Sequence, residues 1–215
     1  VRRMAILLFD DDRPAIAGAG GKTSSRSPPT LWNVGFYTVY FRDGRAANLE
    51  AAIQMHLNDP AAMDIGDERV SSRLQSIPGY FTQFRVAFGS DRVTSETVSK
   101  AIAVYLRTLN TQDSAWDRHL RGDVSAINDS AKKGFEQFVD IGCASCHFWI
   151  NLAGPVPGLA FEMGEGFYEL FPNYKGSVYE QKYRLVEDTG RIQVTREPTD
   201  RHMWRVSGLR NVAVT

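Results

Sequence analysis

Five residues constrain this chain more than any others. Cys143-Ala144-Ser145-Cys146-His147 holds both of its cysteines. Two thiols spaced C-x-x-C and followed at once by histidine form the attachment pattern of c-type haem. The thiols can add across the two haem vinyl groups as thioethers, and the adjacent imidazole can bind the iron from one face. Three other readings remain open from the residues alone. A lone C-x-x-C also suits a thioredoxin-like redox pair, which needs a βαβ context that the sequence does not show. A structural zinc site usually needs four Cys or His ligands, and His56, His119 and His202 fall in no such spacing. The third is a chance match in a helix-rich chain.

Size and charge narrow the classes further. A chain of 215 residues holds one large domain or two small ones, and 43% apolar residues permit a sizeable core. Lys+Arg and Asp+Glu both number 25, so the net charge is zero. That balance argues against nucleic-acid binding, which rests on a basic excess, but leaves room for a local charged patch that docks a redox partner. No apolar run of about 18 residues is present, so no membrane span is expected. Val1 to Phe9 is weakly signal-like, but Asp10, Asp11 and Asp12 cut its apolar run short, and it reads as mature or truncated sequence. The three aspartates read as a solvated loop rather than a metal site. Covalent haem attachment takes place outside the cytoplasm, so the periplasm is the expected compartment.

Along the chain, Gly, Pro, Ser and Thr make residues 14–35 loop-like, and Asp43-Gly44 marks a turn. Periodicity predicts helices over Ala46–Met55 and Asp67–Ile77, then another from Pro78 carrying Tyr80, Phe81, Phe84 and Phe88. The clearest helix spans Ser95–Leu109, with Ser95 as its expected N-cap. A short piece holds Trp116, His119 and Leu120, and Ser130–Val139 follows with Phe135 and Phe138 expected to point inward. Residues 148–189 show little periodicity, which is tolerable where a porphyrin supplies part of the core.

Several blocks carry a resemblance. Ser27-Pro28-Pro29-Thr30-Leu31-Trp32-Asn33-Val34, Phe41-Arg42-Asp43-Gly44-Arg45-Ala46-Ala47-Asn48-Leu49-Glu50 and Ile77-Pro78-Gly79-Tyr80-Phe81 resemble the first domain of bacterial di-haem cytochrome c peroxidases and their MauG-type relatives. So do Ala101 to Leu109 and Trp116 to Gly122. Gly142 to His147, Asn151-Leu152, Gly190-Arg191 and Leu209 to Thr215 resemble the second domain. The resemblance implies a mainly α fold of two cytochrome c-like helical domains with long irregular haem-wrapping loops. It places residues 1–110 in a degenerate first domain and 111–215 in a C-terminal haem domain. It makes Cys143, Cys146 and His147 the tether and proximal ligand of a covalent haem c through which electrons enter.

The departures bear on activity. The family's inter-haem tryptophan falls at Arg42, its active-site glutamine near Ala52 and its acid-base glutamate at Ala62. An alanine can neither protonate a leaving oxygen nor position peroxide. Ser27 stands where the family has a calcium-binding asparagine, although Thr215 fits that site's threonine. No first-domain C-x-x-C-H is visible. No catalytic residue is assigned, and enzyme activity stays open. The expected role is electron transfer through the haem at His147. The alternatives are peroxide reduction or MauG-like oxidation of a partner protein, and a haem-containing scaffold subunit. The implied partner is a small cytochrome, a cupredoxin or a larger complex, with a homo- or hetero-oligomer open. Met163, Met203 and His56 are weaker candidates for iron ligands, and His119 and His202 read as structural. Tyr40 or Trp32 could replace the relay lost at Arg42, whereas Trp149 and Trp204 read as packing.

Overall fold

The computed structural model describes residues 17–148, 150–154, 168–172 and 176–212. Asp10, Asp11, Asp12, Trp149, Met163 and Thr215 lie outside the described residues. The architecture is mainly helical: α1 (Leu49–Asn58), α2 (Asp67–Gln75), α3 (Pro78–Phe88), α4 (Ser95–Thr108), α5 (Ala115–Leu120), α6 (Asp129–Asp140), α7 (Val178–Lys182) and α8 (Ile192–Thr195). Between α6 and α7 comes β1 (Tyr168–Leu170). It pairs antiparallel with β2 (Met203–Arg205), setting Tyr168 opposite Arg205. Strands of three residues are too short to show a period of two, so periodicity does not reveal this sheet.

Caps explain where the helices begin. α1 starts later than Ala46 because Ala46 bridges Tyr40, and the Asn48 side chain accepts the Ala51 N–H at 2.8 Å. Thr94, not Ser95, caps α4. Its hydroxyl accepts the Thr97 N–H at 3.2 Å, and the Thr97 hydroxyl accepts the Thr94 N–H at 3.0 Å. This reciprocal box satisfies two N–H groups that the first turn would leave unpaired. Asn128 caps α6 by accepting the Ala131 N–H at 2.8 Å.

The protein core is unevenly placed. Leu49, Ile53 and Leu57 of α1 pack with Val98, Ala103 and Leu106 of α4, beside Val34, Tyr37 and Tyr40. Every buried member of that cluster except Ala153 falls between Val34 and Leu109. The later segments differ. α6 carries an apolar stripe but buries none of its residues, and Phe135 remains 38% exposed. The inward packing expected of Phe135 and Phe138 is thus replaced by an aromatic row. Ring centroids run Trp116–Phe135 at 4.4 Å, Phe135–Phe138 at 6.1 Å and Phe138–His147 at 6.4 Å. A face that gains no layer from the described residues is what a chain shows when a bound group completes its core.

Long-range polar ties join distant parts of the chain. The Asn33 amide donates to the Thr111 hydroxyl at 2.7 Å and accepts the Thr111 N–H at 2.9 Å. Arg210 pairs with Asp117 at 2.5 Å. Arg26 forks onto Asp188 at 2.6 and 2.9 Å and also pairs with the buried Asp43.

Candidate functional site

The C-x-x-C-H motif sits just beyond α6. Gly142 takes a left-handed φ of +94°, and Cys143–Ser145 form one 3-10 turn. A side chain would strain that backbone, so glycine lets the chain turn from the helix into the motif. The Cys143 carbonyl accepts the N–H groups of Cys146 at 3.3 Å and His147 at 3.0 Å. The turn therefore holds both thiols and the imidazole on one short element.

The imidazole is oriented from its other side. His147 Nδ1 lies 2.9 Å from the Leu152 carbonyl. A carbonyl can only accept, so Nδ1 carries the proton and Nε2 keeps its lone pair for a metal. Leu152 itself has a φ of +50°, and this backbone kink turns its carbonyl back to the ring.

Cys143, Cys146 and His147 line a cavity of about 960 Å³, faced by Ile141, Glu169, Phe171, Trp204 and Arg205. That volume lies within the range of cofactor pockets, about 300–1,000 Å³. Both cysteines are free, and burial, reinforced by Glu169, raises the Cys146 thiol pKa against the pull of Ser145. A raised thiol is unlike the electropositive, activated cysteine of a redox pair. The sheet contributes an antiparallel strand pair, not a βαβ unit. No group of three or more His, Cys, Asp or Glu that could hold a metal ion occurs among the described residues. The thiols, the oriented imidazole, the cavity and the uncovered stripe of α6 fit a c-type haem. When bound, haem supplies one-electron redox chemistry. The chain would tether it through Cys143 and Cys146 and ligate it through His147.

A second cavity, of about 390 Å³, shares Ser25, Arg26, Ser27 and Arg42 with the first. Met55, His56 and Ala62 line it as well. His56 is accessible, yet surrounding protein lowers its pKa, against the opposing pull of Asp59. Arg42 thus stands in the wall common to both cavities, at the position where the resemblance implies an inter-haem residue. Neither Tyr40 nor Trp32 lines either cavity, and Tyr40 donates its hydroxyl to the Tyr37 carbonyl at 3.1 Å inside the core. Trp204 lines the first cavity, under the Arg26 guanidinium at 4.8 Å, and Phe41 lines the second. Met203 lines neither cavity. His202 Nδ1 lies 3.1 Å from the Asp188 carbonyl, and His119 packs against Trp116 at 5.7 Å. Sequence reasoning missed the roles of Arg26 and Arg205, whose partners Asp188 and Phe41 lie more than a hundred positions away, and of the Leu152 carbonyl, since no side-chain pattern marks a backbone acceptor.

No helix among the described residues is long and apolar enough to cross a membrane. A family profile described as di-haem cytochrome c peroxidase matches residues 6–125. The cytochrome c551 peroxidase of Pseudomonas aeruginosa is 34% identical over 207 residues, covering 95% of this chain and 56% of that protein. The cytochrome c peroxidase Ccp of Escherichia coli is 33% identical over 207 residues, covering 95% and 41%. The methylamine utilization protein MauG of Methylorubrum extorquens is 41% identical over 124 residues, covering 57% and 35%. The chain therefore spans about half the length, or less, of these relatives. A crystal structure of a MauG-like protein associated with microbial copper homeostasis superposes with a TM-score of 0.82 at 19% identity, covering 99% of this chain and 63% of that one. The diheme peroxidase BthA from Burkholderia thailandensis superposes with a TM-score of 0.62 at 20% identity, over 97% and 55%. Both structural matches bear on the fold alone. The chain belongs to the di-haem cytochrome c peroxidase family, whose members include MauG, and that family binds c-type haem.

Proposed function

We propose that this chain is the electron-delivering part of a peroxide-reducing oxidoreductase. A redox partner, such as a small cytochrome or cupredoxin, supplies electrons to a haem c tethered at Cys143 and Cys146 and ligated by His147. The observation that carries this reading is the cavity around that motif, with the His147 ring held at Nδ1 by Leu152. The peroxidase and MauG relatives support substrate turnover over the simple electron carrier suggested by the sequence. The net reaction would be H2O2 + 2 e− + 2 H+ → 2 H2O, with two one-electron donors oxidised per peroxide. In the second cavity the imidazole of His56, its pKa lowered by burial, offers a neutral nitrogen that can accept a proton, a task that Ala62 cannot perform. The chain is proposed to divide near residue 110 into two cytochrome c-like halves, joined where Asn33 holds Thr111. The periplasm is the proposed compartment, since haem c is attached outside the cytoplasm.

The test mixes the full-length holoprotein with a pre-reduced small cytochrome and then adds peroxide. Donor oxidation that depends on peroxide, at two donors per peroxide, is the expected result. A haem that takes electrons from the donor but is not reoxidised by peroxide would overturn it. That result would leave the electron-carrier reading, which Arg42, Ala52 and Ala62 favour.

A further inference from the structure

α1 carries a large apolar side chain that the core does not use. Leu49, Ile53 and Leu57 recur one turn apart and are buried, whereas Met55 falls on the opposite side of the helix and is 43% exposed. Methionine ordinarily fills irregular gaps inside a core. Met55 instead faces the cavity of about 390 Å³ that Arg42, Arg45, His56 and Asp59 also line. Asp59, one turn further on, donates its N–H to the Met55 carbonyl at 2.9 Å, so the end of the helix holds both residues on that wall.

The other methionines supply a comparison. Of the five in the chain, Met4 and Met163 lie outside the described residues, and Met203 is half-buried in β2. Met63 is as open as Met55, at 47% exposed, and sits in the turn after α1, yet it lines neither the first nor the second cavity. Met55 and Met63 thus match in accessibility and differ in surroundings.

A thioether is oxidised by peroxide to the sulfoxide. The sulfur lone pair attacks one peroxide oxygen, the O–O bond breaks, and the second oxygen leaves as hydroxide. That hydroxide takes up the proton released by the transferred oxygen, so thioether and H2O2 give sulfoxide and H2O. Sulfur loses two electrons, and the peroxide oxygens gain them. Negative charge grows on the departing oxygen, and Arg42 and Arg45 bring guanidinium N–H donors to the same cavity. One charge-assisted hydrogen bond to that oxygen is strong enough to speed the step about tenfold.

We propose that Met55 is a peroxide-modification site: peroxide entering the second cavity converts its thioether to the sulfoxide, ahead of the equally exposed Met63. The product sets a polar S–O group in a wall where an apolar side chain stood, and methionine sulfoxide reductases can reverse it. The modification is separate from haem turnover and shares only the second cavity with the reading above.

The experiment treats the full-length holoprotein, without an electron donor, with a small excess of H2O2. Samples are quenched over time, and peptide mass spectrometry counts the sulfoxide at each methionine. Met55 should react about tenfold faster than Met63 in the folded protein, and the two should react alike in concentrated urea. Arg42→Gln and Arg45→Gln should each narrow the gap. If Arg45→Gln fails to fold, because Asp43 loses a partner, Arg42→Gln decides the point. Equal rates at Met55 and Met63 in the folded protein would overturn the proposal, since exposure alone would explain them. So would a gap that survives unfolding or persists in every folded arginine variant. The same preference is expected with cyanide on the haem iron, and its loss would trace the oxygen to haem chemistry and overturn direct attack by peroxide. Failed turnover with the Met55 preference intact would refute only the peroxide-reducing reading, whereas turnover with equal methionine rates would refute only this site.

Discussion

Replacing Arg26 by Met removes a cation that joins three parts of the chain. Its side chain is 17% exposed and meets Asp43, which is 5% exposed, and Asp188, which is 33% exposed. Losing one partner of a buried ion pair costs about 3–5 kcal/mol, because the remaining charge stays desolvated. Two features place Arg26→Met near the lower end. Asp43 keeps Arg45 at 3.0 Å, and Asp188 keeps the Gly190 N–H at 3.1 Å and the Gln193 amide at 2.9 Å. The expected loss is about 3 kcal/mol. The forked contact with Asp188 consists of two charge-assisted hydrogen bonds, so a cycle with Asp188→Asn should show coupling of about 1.5–2 kcal/mol. The assay is urea unfolding of the holoproteins at pH 7, followed by far-UV circular dichroism. With a urea slope of ~3 kcal/mol per molar for a chain of this size, Arg26→Met should lower the midpoint by about 1 M. The pH dependence adds a second condition. Burial pushes the Asp188 pKa up, but Arg26 and the Gly190 N–H more than reverse this, so the folded value lies below the ordinary one. The pair's contribution is then fully present above about pH 4 and fades as pH falls through the lower folded value. A midpoint change under ~0.3 M, with coupling under ~0.5 kcal/mol, would refute the reasoning.

Three further outcomes follow from the same contacts. Asn33→Ala loses both bonds to Thr111 and forces alanine into a left-handed φ of 58°, so it should cost about 3–5 kcal/mol in urea unfolding. Asn33→Gly should recover about 1 kcal/mol of that, and no recovery would remove the backbone part of the argument. In Gly44→Ala the new Cβ would lie 2.0 Å from the Tyr168 hydroxyl and 2.7 Å from Arg191 Nη1, at a φ of +68°. A loss of about 2–3 kcal/mol is expected in the same assay, and a neutral result would mean that Tyr168 moves aside freely. Asp117 is pushed up by burial but pulled below its ordinary pKa by Arg210 and Ser114. Asp117→Asn should therefore be less stable than wild type at pH 7, and thermal melts should converge as pH falls through the lowered folded pKa of the wild-type carboxylate.

How far the fold is legible in the sequence depends on the range of the interaction. The helices α1, α2, α3, α4 and α6 can be read because their apolar spacing and turn residues are local, and the structure moves only their ends. Those ends shift to Asn48, Thr94 and Asn128, where a side chain can accept an N–H of the first turn. The haem motif is legible because its chemistry needs five adjacent residues. Features built from distant residues are not. Arg26 is an ordinary arginine until the fold brings Asp188 to it. Arg205 is one arginine among many until β2 carries it against Phe41 and Arg42. Phe135 and Phe138 show a third limit, since an amphipathic stripe indicates burial without saying whether protein or cofactor covers it.

The measurement that bears most directly on this reading is covalent haem content on purified protein. A pyridine haemochrome assay gives haem per chain, and mass spectrometry of proteolytic fragments locates it. At least one haem per chain is expected, carried by the peptide containing Cys143 and Cys146, with loss of attachment when both are replaced by alanine. Protein matured with an active haem-attachment system that carries no haem on that peptide would contradict it.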